Sequence, residues 1–497
     1  MIELQRVRQN PFYILEILAL ICGALLPLSF APYGYFWLQF PLIAYIFLVC
    51  LDQKPITAFR RAYFFGFGWF VHGIYWLFYS LYFHGGMPAP VAVITIVLLS
   101  AYMALFPALA FYLSNRLIKT SSFKMLVLIY PISWMLFDWL RGYFLTGFPW
   151  VQIGIAHIDT YLSGYAPLVG GLGIGLLVTV VSGLMAASPF NAKYKITVPS
   201  ILVIYISGYL LSQIEWTEAI DEPIKVSMIQ GNIAQADKWK PENYRPTLQM
   251  YKELTQQHWD SDLIIWPETA IPGFRYRVPF YLKSLAKEAE ETQTDVMLGV
   301  FVRDAESKRY YNSMITLDNQ KYLKRHLVPL GEYFPLRPLL GFFAQWVNIP
   351  MSDIDSGKDE QPLIEVAGQP VGLSICFEDA FDRSVLLDLP EATLLINVSN
   401  DAWFEDSVQP WQHHQIARMR AAESARMLVR VTNTGVSSVI DRNGDVLHQA
   451  EQFRREVITA DIQAYKGATP YVLWANYLLM ISGVITLLWF KLKRKND

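Results

Sequence analysis

The chain has 497 residues, of which 53% are hydrophobic, 15% aromatic and only 17% charged, with a formal net charge of −2. That balance excludes an ordinary soluble protein and gives no positive field to gather nucleic acid. It fits several membrane spans joined to a polar portion.

Taken in chain order, seven hydrophobic stretches fill the first 212 residues, near 11–31, 35–51, 62–82, 88–114, 124–140, 164–188 and 196–212, and an eighth lies at 470–490. Each approaches the roughly 20 residues that a bilayer core requires, so the expectation is eight transmembrane helices. The first stretch runs directly into the second through "LLPLSFAPYGYFW" and is not expected to be cleaved as a signal peptide. Fourteen basic residues, from Arg6 and Arg8 to Arg494 and Lys495, fall in one set of alternate loops, and the other set holds Arg141 alone. By the positive-inside rule both termini are cytoplasmic and the long segment between the seventh and eighth stretches lies on the outer face. The expected division is a seven-helix membrane domain at 1–212, an outer domain at 213–469, and an eighth helix with a basic tail at 470–497.

The outer segment is long enough for one sizeable core. Strand-like runs such as "IKVSMIQGNI", "SDLIIWPE", "TDVMLGVFV", "VGLSICF" and "ATLLINVSN" alternate with helical patterns near 241–259, 279–292 and 410–426. This order points to an α/β layered fold with helices covering sheets. "DRNGDV" at 441–446 is a hairpin turn signal.

Reactive groups stand at or near several strand ends: Glu268 in "WPETAIP", Lys324 and Glu332 in "YLKRHLVPLGEYFP", and Cys376 in "VGLSICFED". Sheet enzymes place their chemistry outside strand ends, where loops project groups into a crevice. A thiol at a strand-to-helix junction gains from helix N-terminal N–H groups, a carboxylate can take its proton, and a lysine can stabilise an oxyanion together with a backbone N–H such as that of Phe377. Each group also has a bland reading: a helix-start acid for Glu268, a solvated charge for Lys324, a small core residue for Cys376. Cys376 is the one cysteine in the outer segment, because Cys22 and Cys50 fall in apolar stretches.

The three motifs in this order resemble the nitrilase superfamily of carbon–nitrogen hydrolases. With the membrane stretches, "NVSNDAWF" and "RAAESARMLVRVTNTGVS", the chain resembles one branch of it, the apolipoprotein N-acyltransferases. The resemblance implies an αββα nitrilase-like sandwich carried on the membrane domain. It implies Glu268 as general base, Lys324 as oxyanion-stabilising lysine and Cys376 as nucleophile. Glu332 and Glu378 match further active-site acids, Asn312 a pocket asparagine, and Trp239 a loop tryptophan that contacts lipid. Phe377 departs from the family pattern, which commonly has Tyr after the cysteine.

The implied reaction moves an acyl chain from a glycerophospholipid, through a Cys376 thioester, to the α-amino group of a diacylglyceryl-cysteine at an apolipoprotein N-terminus. It takes place at the bilayer of a bacterial cytoplasmic membrane, without cofactor, metal or nucleic acid. From composition, "PLRPLLGFFAQWVNIP" with Phe342 and Phe343 is expected to form a lipid-facing lid that excludes water. Two other readings stay open at this level: a membrane-tethered amidase acting on a small C–N substrate, and a transporter with an outer binding module. Against the transporter, the apolar stretches hold few charges, chiefly Glu16 and Asp138. "GGLGIG" at 170–175 is read as close helix packing, and the adjacent His413 and His414 point apart on a helix and form no metal pair.

Overall fold

The computed structural model describes residues 13–188, 194–305, 307–333 and 354–493. The chain forms two compact units: one from residues up to 75, 93–214 and 474 onward, the other from 76–92 and 215–473.

The first unit is helical, and here the expectation of eight transmembrane helices is corrected. Among the described residues three helices are long and apolar enough to cross a membrane: Ala89–Leu117, Ser122–Arg141 and Tyr161–Ala187. They fall on the fourth, fifth and sixth hydrophobic stretches. The others do not form such a helix because an apolar run is not by itself one continuous helix. The first breaks after Leu25 into a 3-10 turn at Pro27, and the second gives only Gln39–Cys50. In the third, Pro55–Gly73 carries Arg60 and Arg61. The seventh and eighth give the shorter helical runs Lys195–Leu211 and Tyr477–Lys493.

The two carboxylates of the apolar stretches are paired. Glu16 accepts from Arg60 at 2.6 Å, and Asp138 from Arg141 at 2.6 Å. In the "GGLGIG" region the turn Ile153–His157 lies so close to the following helix that a Cβ on Gly154 would strike the Gly171 carbonyl.

The second unit is built on two six-stranded sheets. With β6 (Ile364–Val366), β10 (Ser438–Ile440), β11 (Val446–Gln449) and β12 (Glu456–Lys466), one has the order β12-β1-β2-β3-β4-β5 and the other β11-β10-β9-β8-β7-β6. Strands β1 (Glu218–Gln230), β2 (Leu263–Ile265) and β3 (Asp295–Arg303) run parallel, as do β7 (Gln369–Ile375), β8 (Leu394–Ser399) and β9 (Leu428–Thr432). β4 (Tyr310–Thr316) and β5 (Lys321–Leu323) extend the first sheet antiparallel.

The period of two sorts each strand between layers. Val226, Met228, Ile265, Met297, Leu373, Ile375, Ile396 and Val398 fill the space between the sheets. Ile264, Trp266, Leu298 and Val300 pack outward on the helices Pro241–Gln256 and Pro279–Thr292. On the far side, Leu395 and Leu428 meet Ala417 and Ala421 of the helix Gln409–Ser424. The result is helix, sheet, sheet, helix. The parallel strands β2, β7, β8 and β9 deliver Glu268, Cys376, Asn400 and Asn433 just past their C-terminal ends.

Candidate active site

Past β2, Trp266 is clamped before the chain reaches Glu268. Its ring stacks on Tyr251 with centroids 4.7 Å apart, and its indole N–H donates to Thr255 at 3.0 Å. Gly299 on β3 lets the next turn lie flat against the sheet, since a Cβ there would collide with the Pro267 carbonyl and the Thr269 nitrogen. So placed, Glu268 is buried and doubly held. Asn312 Nδ2 donates to Oε1 at 2.7 Å, and the Asn400 main-chain N–H donates to Oε2 at 2.9 Å.

Lys324 follows β5, and its N–H donates to the Asn312 carbonyl at 2.9 Å. The side chain is 1% exposed and lies between two carboxylates. Its Nζ stands 2.9 Å from Glu332 Oε2 and 3.5 Å from Glu268 Oε1. Burial opposes the charge, but Glu332 and Glu268 outweigh it and raise the lysine above its ordinary range. Asn312 bridges both acids, donating also to Glu332 at 2.9 Å.

Cys376 begins the 3-10 turn Cys376–Ala380 with φ +55°, a left-handed conformation unusual for a residue with a Cβ. The residue is partly open to solvent. Burial of the sulfur and the Glu268 charge push its pKa up, against the pull of Lys324, so the resting group is a thiol. Its carbonyl accepts from His413 Nε2 at 3.1 Å. Glu268, Lys324, Glu332, Asn312 and Cys376 therefore meet at one place, where their charges act on one another.

Glu378 is buried and spends its carboxylate on four donors. Oε1 accepts from the N–H groups of Arg325 and His326 at 2.5 and 2.9 Å, and Oε2 from the Ile375 N–H at 2.6 Å and the Tyr322 hydroxyl at 2.9 Å. It thus pins the lysine strand to the cysteine turn. Burial pushes it up to about 7, against the pull of Lys324 and these donors. Phe377 packs edge-on against Phe381, 5.0 Å between centroids, with His326 at 6.1 Å. Trp239 is half-buried, 6.0 Å from the Phe301 ring. Phe342 and Phe343 lie outside the described residues.

Several groups here are invisible to motif reading. Under the cysteine turn, His413 Nε2 stands 2.7 Å from Asp379 and Nδ1 3.2 Å from Asp401. Arg430 reaches Asp401 at 3.0 Å and Asp379 at 3.5 Å. Both imidazole nitrogens face acceptors, which calls for the doubly protonated ring. Burial and Arg430 disfavour that charge, but Asp379 and Asp401 outweigh them and raise the histidine. Burial would raise Asp401 too, yet Arg430 and His413 hold it well below the carboxylate range. Lys238 and Asn400 are likewise buried beside Glu268. Among the described residues no cluster of His, Cys, Asp or Glu is disposed to hold a metal ion.

The Carbon-nitrogen hydrolase family model matches residues 225–471, and the Apolipoprotein N-acyltransferase N-terminal domain model matches 22–184. An apolipoprotein N-acyltransferase of Methylococcus capsulatus is 41% identical over 96% of this chain and 96% of its own length. Those of Nitrosomonas europaea and Vibrio cholerae are 38% and 37% identical, over 94% and 92% of this chain and 95% and 93% of theirs. The chain belongs to the apolipoprotein N-acyltransferase family. It is an acyltransferase. Both matched regions of the N-acyltransferase are present, the helical one and the one that carries the buried acid–lysine–thiol cluster.

Proposed function

We propose that Cys376 carries the acyl group from donor to acceptor, with Glu268 as the base and Lys324 as the oxyanion cation. The enzyme transfers a fatty acyl chain from a glycerophospholipid to the α-amino group of the N-terminal S-diacylglyceryl-cysteine of an apolipoprotein. The observation that carries these roles is the convergence of a buried, doubly hydrogen-bonded carboxylate and a buried lysine on a thiol at a strained turn.

The thiol is protonated at rest, so a base must act as it attacks. Glu268 takes the Cys376 proton while the sulfur adds to the donor's acyl carbonyl. Lys324 holds the developing oxyanion, with the Phe377 N–H at the start of the turn as a second donor. The C–O ester bond breaks, the lysophospholipid oxygen takes the proton from Glu268, and a thioester remains. The neutral amine of the acceptor then adds to the thioester. Glu268 takes the amine proton and passes it to the sulfur as the C–S bond breaks, so the amide is released with the thiol and the carboxylate restored. Splitting the transfer in two means that the two bulky lipids need not bind together.

Glu332 and Asn312 keep Lys324 and Glu268 aligned, Glu378 fixes the turn, and Trp239 contacts lipid. Residues 213–469 form the catalytic domain, placed on the outer face of a bacterial cytoplasmic membrane. That side follows from the basic residues gathered in alternate loops of the helical region.

The test is acyl-labelled phospholipid supplied to the purified protein. The wild type should acquire label and release lysophospholipid, and Cys376→Ser should do neither. A Cys376→Ser protein labelled at the wild-type rate would sink this reading.

A further inference from the structure

We propose that Lys238 is a positioning residue for the acyl transfer: its buried amine fixes the Glu268–Thr269 main chain from behind and ties the base to the loop that carries Trp239. The inference rests on the reading of Glu268 as the base.

A lysine 2% exposed must justify its loss of water, and buried ones ordinarily do so against a carboxylate oxygen. Lys238 does not. Its Nζ donates to Thr269 Oγ1 at 2.6 Å and to the Glu268 carbonyl at 3.3 Å. Both acceptors belong to the turn that aims the Glu268 side chain. Thr269 sits at φ +48°, a strained conformation for a β-branched residue, and the ammonium holds it there.

A second line from the same loop reaches the other end of Glu268. In the short helix Gln235–Lys238, Gln235 Oε1 accepts from Asn400 Nδ2 at 2.9 Å, and the Asn400 N–H holds Glu268 Oε2. Asn433 closes the circuit, donating to Asn400 Oδ1 at 2.9 Å and to the Ile233 carbonyl at 2.7 Å. Trp239 is the next residue along the chain, so a ligand that shifts its ring pulls on Lys238 and through it on the base.

Glu268 is the charged group that favours the Lys238 ammonium, while burial draws the amine down to about 8. The neighbouring Asp237 pairs outward with Lys240 at 2.7 Å, and Glu242 is exposed. Glu268 therefore lies between two cations, Lys324 at its carboxylate and Lys238 behind its main chain.

The experiment uses the full chain in detergent with phosphatidylethanolamine micelles, reading kcat and KM of Cys376 acylation. In Lys238→Met, kcat should fall at least about tenfold with KM unchanged. Lys238→Arg should restore kcat. Should Lys238→Met not fold, Thr269→Val, which removes the better acceptor and keeps the shape, should also lower kcat at unchanged KM. A Lys238→Met enzyme, or in its place Thr269→Val, with wild-type kcat overturns the proposal. Glu268→Gln separates the two claims: acylation kept in that variant overturns the base assignment itself, and acylation lost there while Lys238→Met is silent overturns only the role of Lys238.

Discussion

Lys324 is buried and held by two carboxylates, and removing it takes a cation from both. Lys324→Met should therefore abolish acylation and also destabilise the second unit by about 3–5 kcal/mol, read as a fall in its thermal melting midpoint. A silent melting curve would show that the two acids do not depend on the lysine. Glu378 allows a sharper test, because all four of its partners are donors. Glu378→Gln turns one acceptor into a donor, and the lost bonds should cost about 1–3 kcal/mol. The sign of its pH dependence follows from its pKa, raised from 4.5 to about 7 in the fold. A raised carboxyl gives stability that is full below its unfolded value and is lost as pH rises through its folded value. The stability advantage of wild type over Glu378→Gln should therefore shrink between pH 4.5 and about 7, and an advantage that grows across that window would refute this reading.

At the scale of single elements, β3 matters for what its glycine omits. Gly299→Ala should push the Glu268 turn off the sheet, lowering kcat by about 10²-fold while the circular dichroism spectrum stays unchanged. Elements also show why some of the site was legible in the sequence and some was not. Glu268 and Cys376 each stand just past an apolar strand, and Lys324 just past the short β5, inside short distinctive motifs, so strand ends marked them as candidates and the motif resemblance supplied their roles. The helix Gln409–Ser424, "QPWQHHQIARMRAAES", is polar along its whole length, yet His413, His414, Arg420 and Glu423 are all buried. They are buried because each finds a partner: His413 with two aspartates, His414 with Ser438 at 2.9 Å, Arg420 with Glu423 at 2.8 Å. Nothing in local spacing announces that Arg430 will sit against Asp379 and Asp401, 51 and 29 residues away. Arg430→Met should cost about 3–5 kcal/mol by the same uncompensated-charge argument.

For the molecule as a whole, hydropathy identified where apolar chain lies but not how it is divided into helices, and only the middle stretches became long ones. It also hid a segment. Residues 76–92 fall between apolar helices in the chain, yet they belong to the second compact unit. There the Trp76 indole N–H donates to Gln412 at 3.1 Å, its ring meets Phe404 edge-on at 5.0 Å, and His84 lies 2.8 Å from Glu405. Gln412 is the neighbour of His413, so the segment braces the helix beneath the cysteine turn. Trp76→Ala should cost about 3–5 kcal/mol and open the 401–407 loop to proteolysis.

The central claim is that Cys376 holds the acyl chain between donor and acceptor, and intact-mass analysis tests it most directly. After incubation with phospholipid, the purified protein should gain one fatty-acyl mass, mapped to the Cys376 peptide and cleared by a diacylated lipopeptide carrying a free α-amino group. A protein that turns over with no such adduct, or whose adduct stays in place when the lipopeptide is added, would contradict the account.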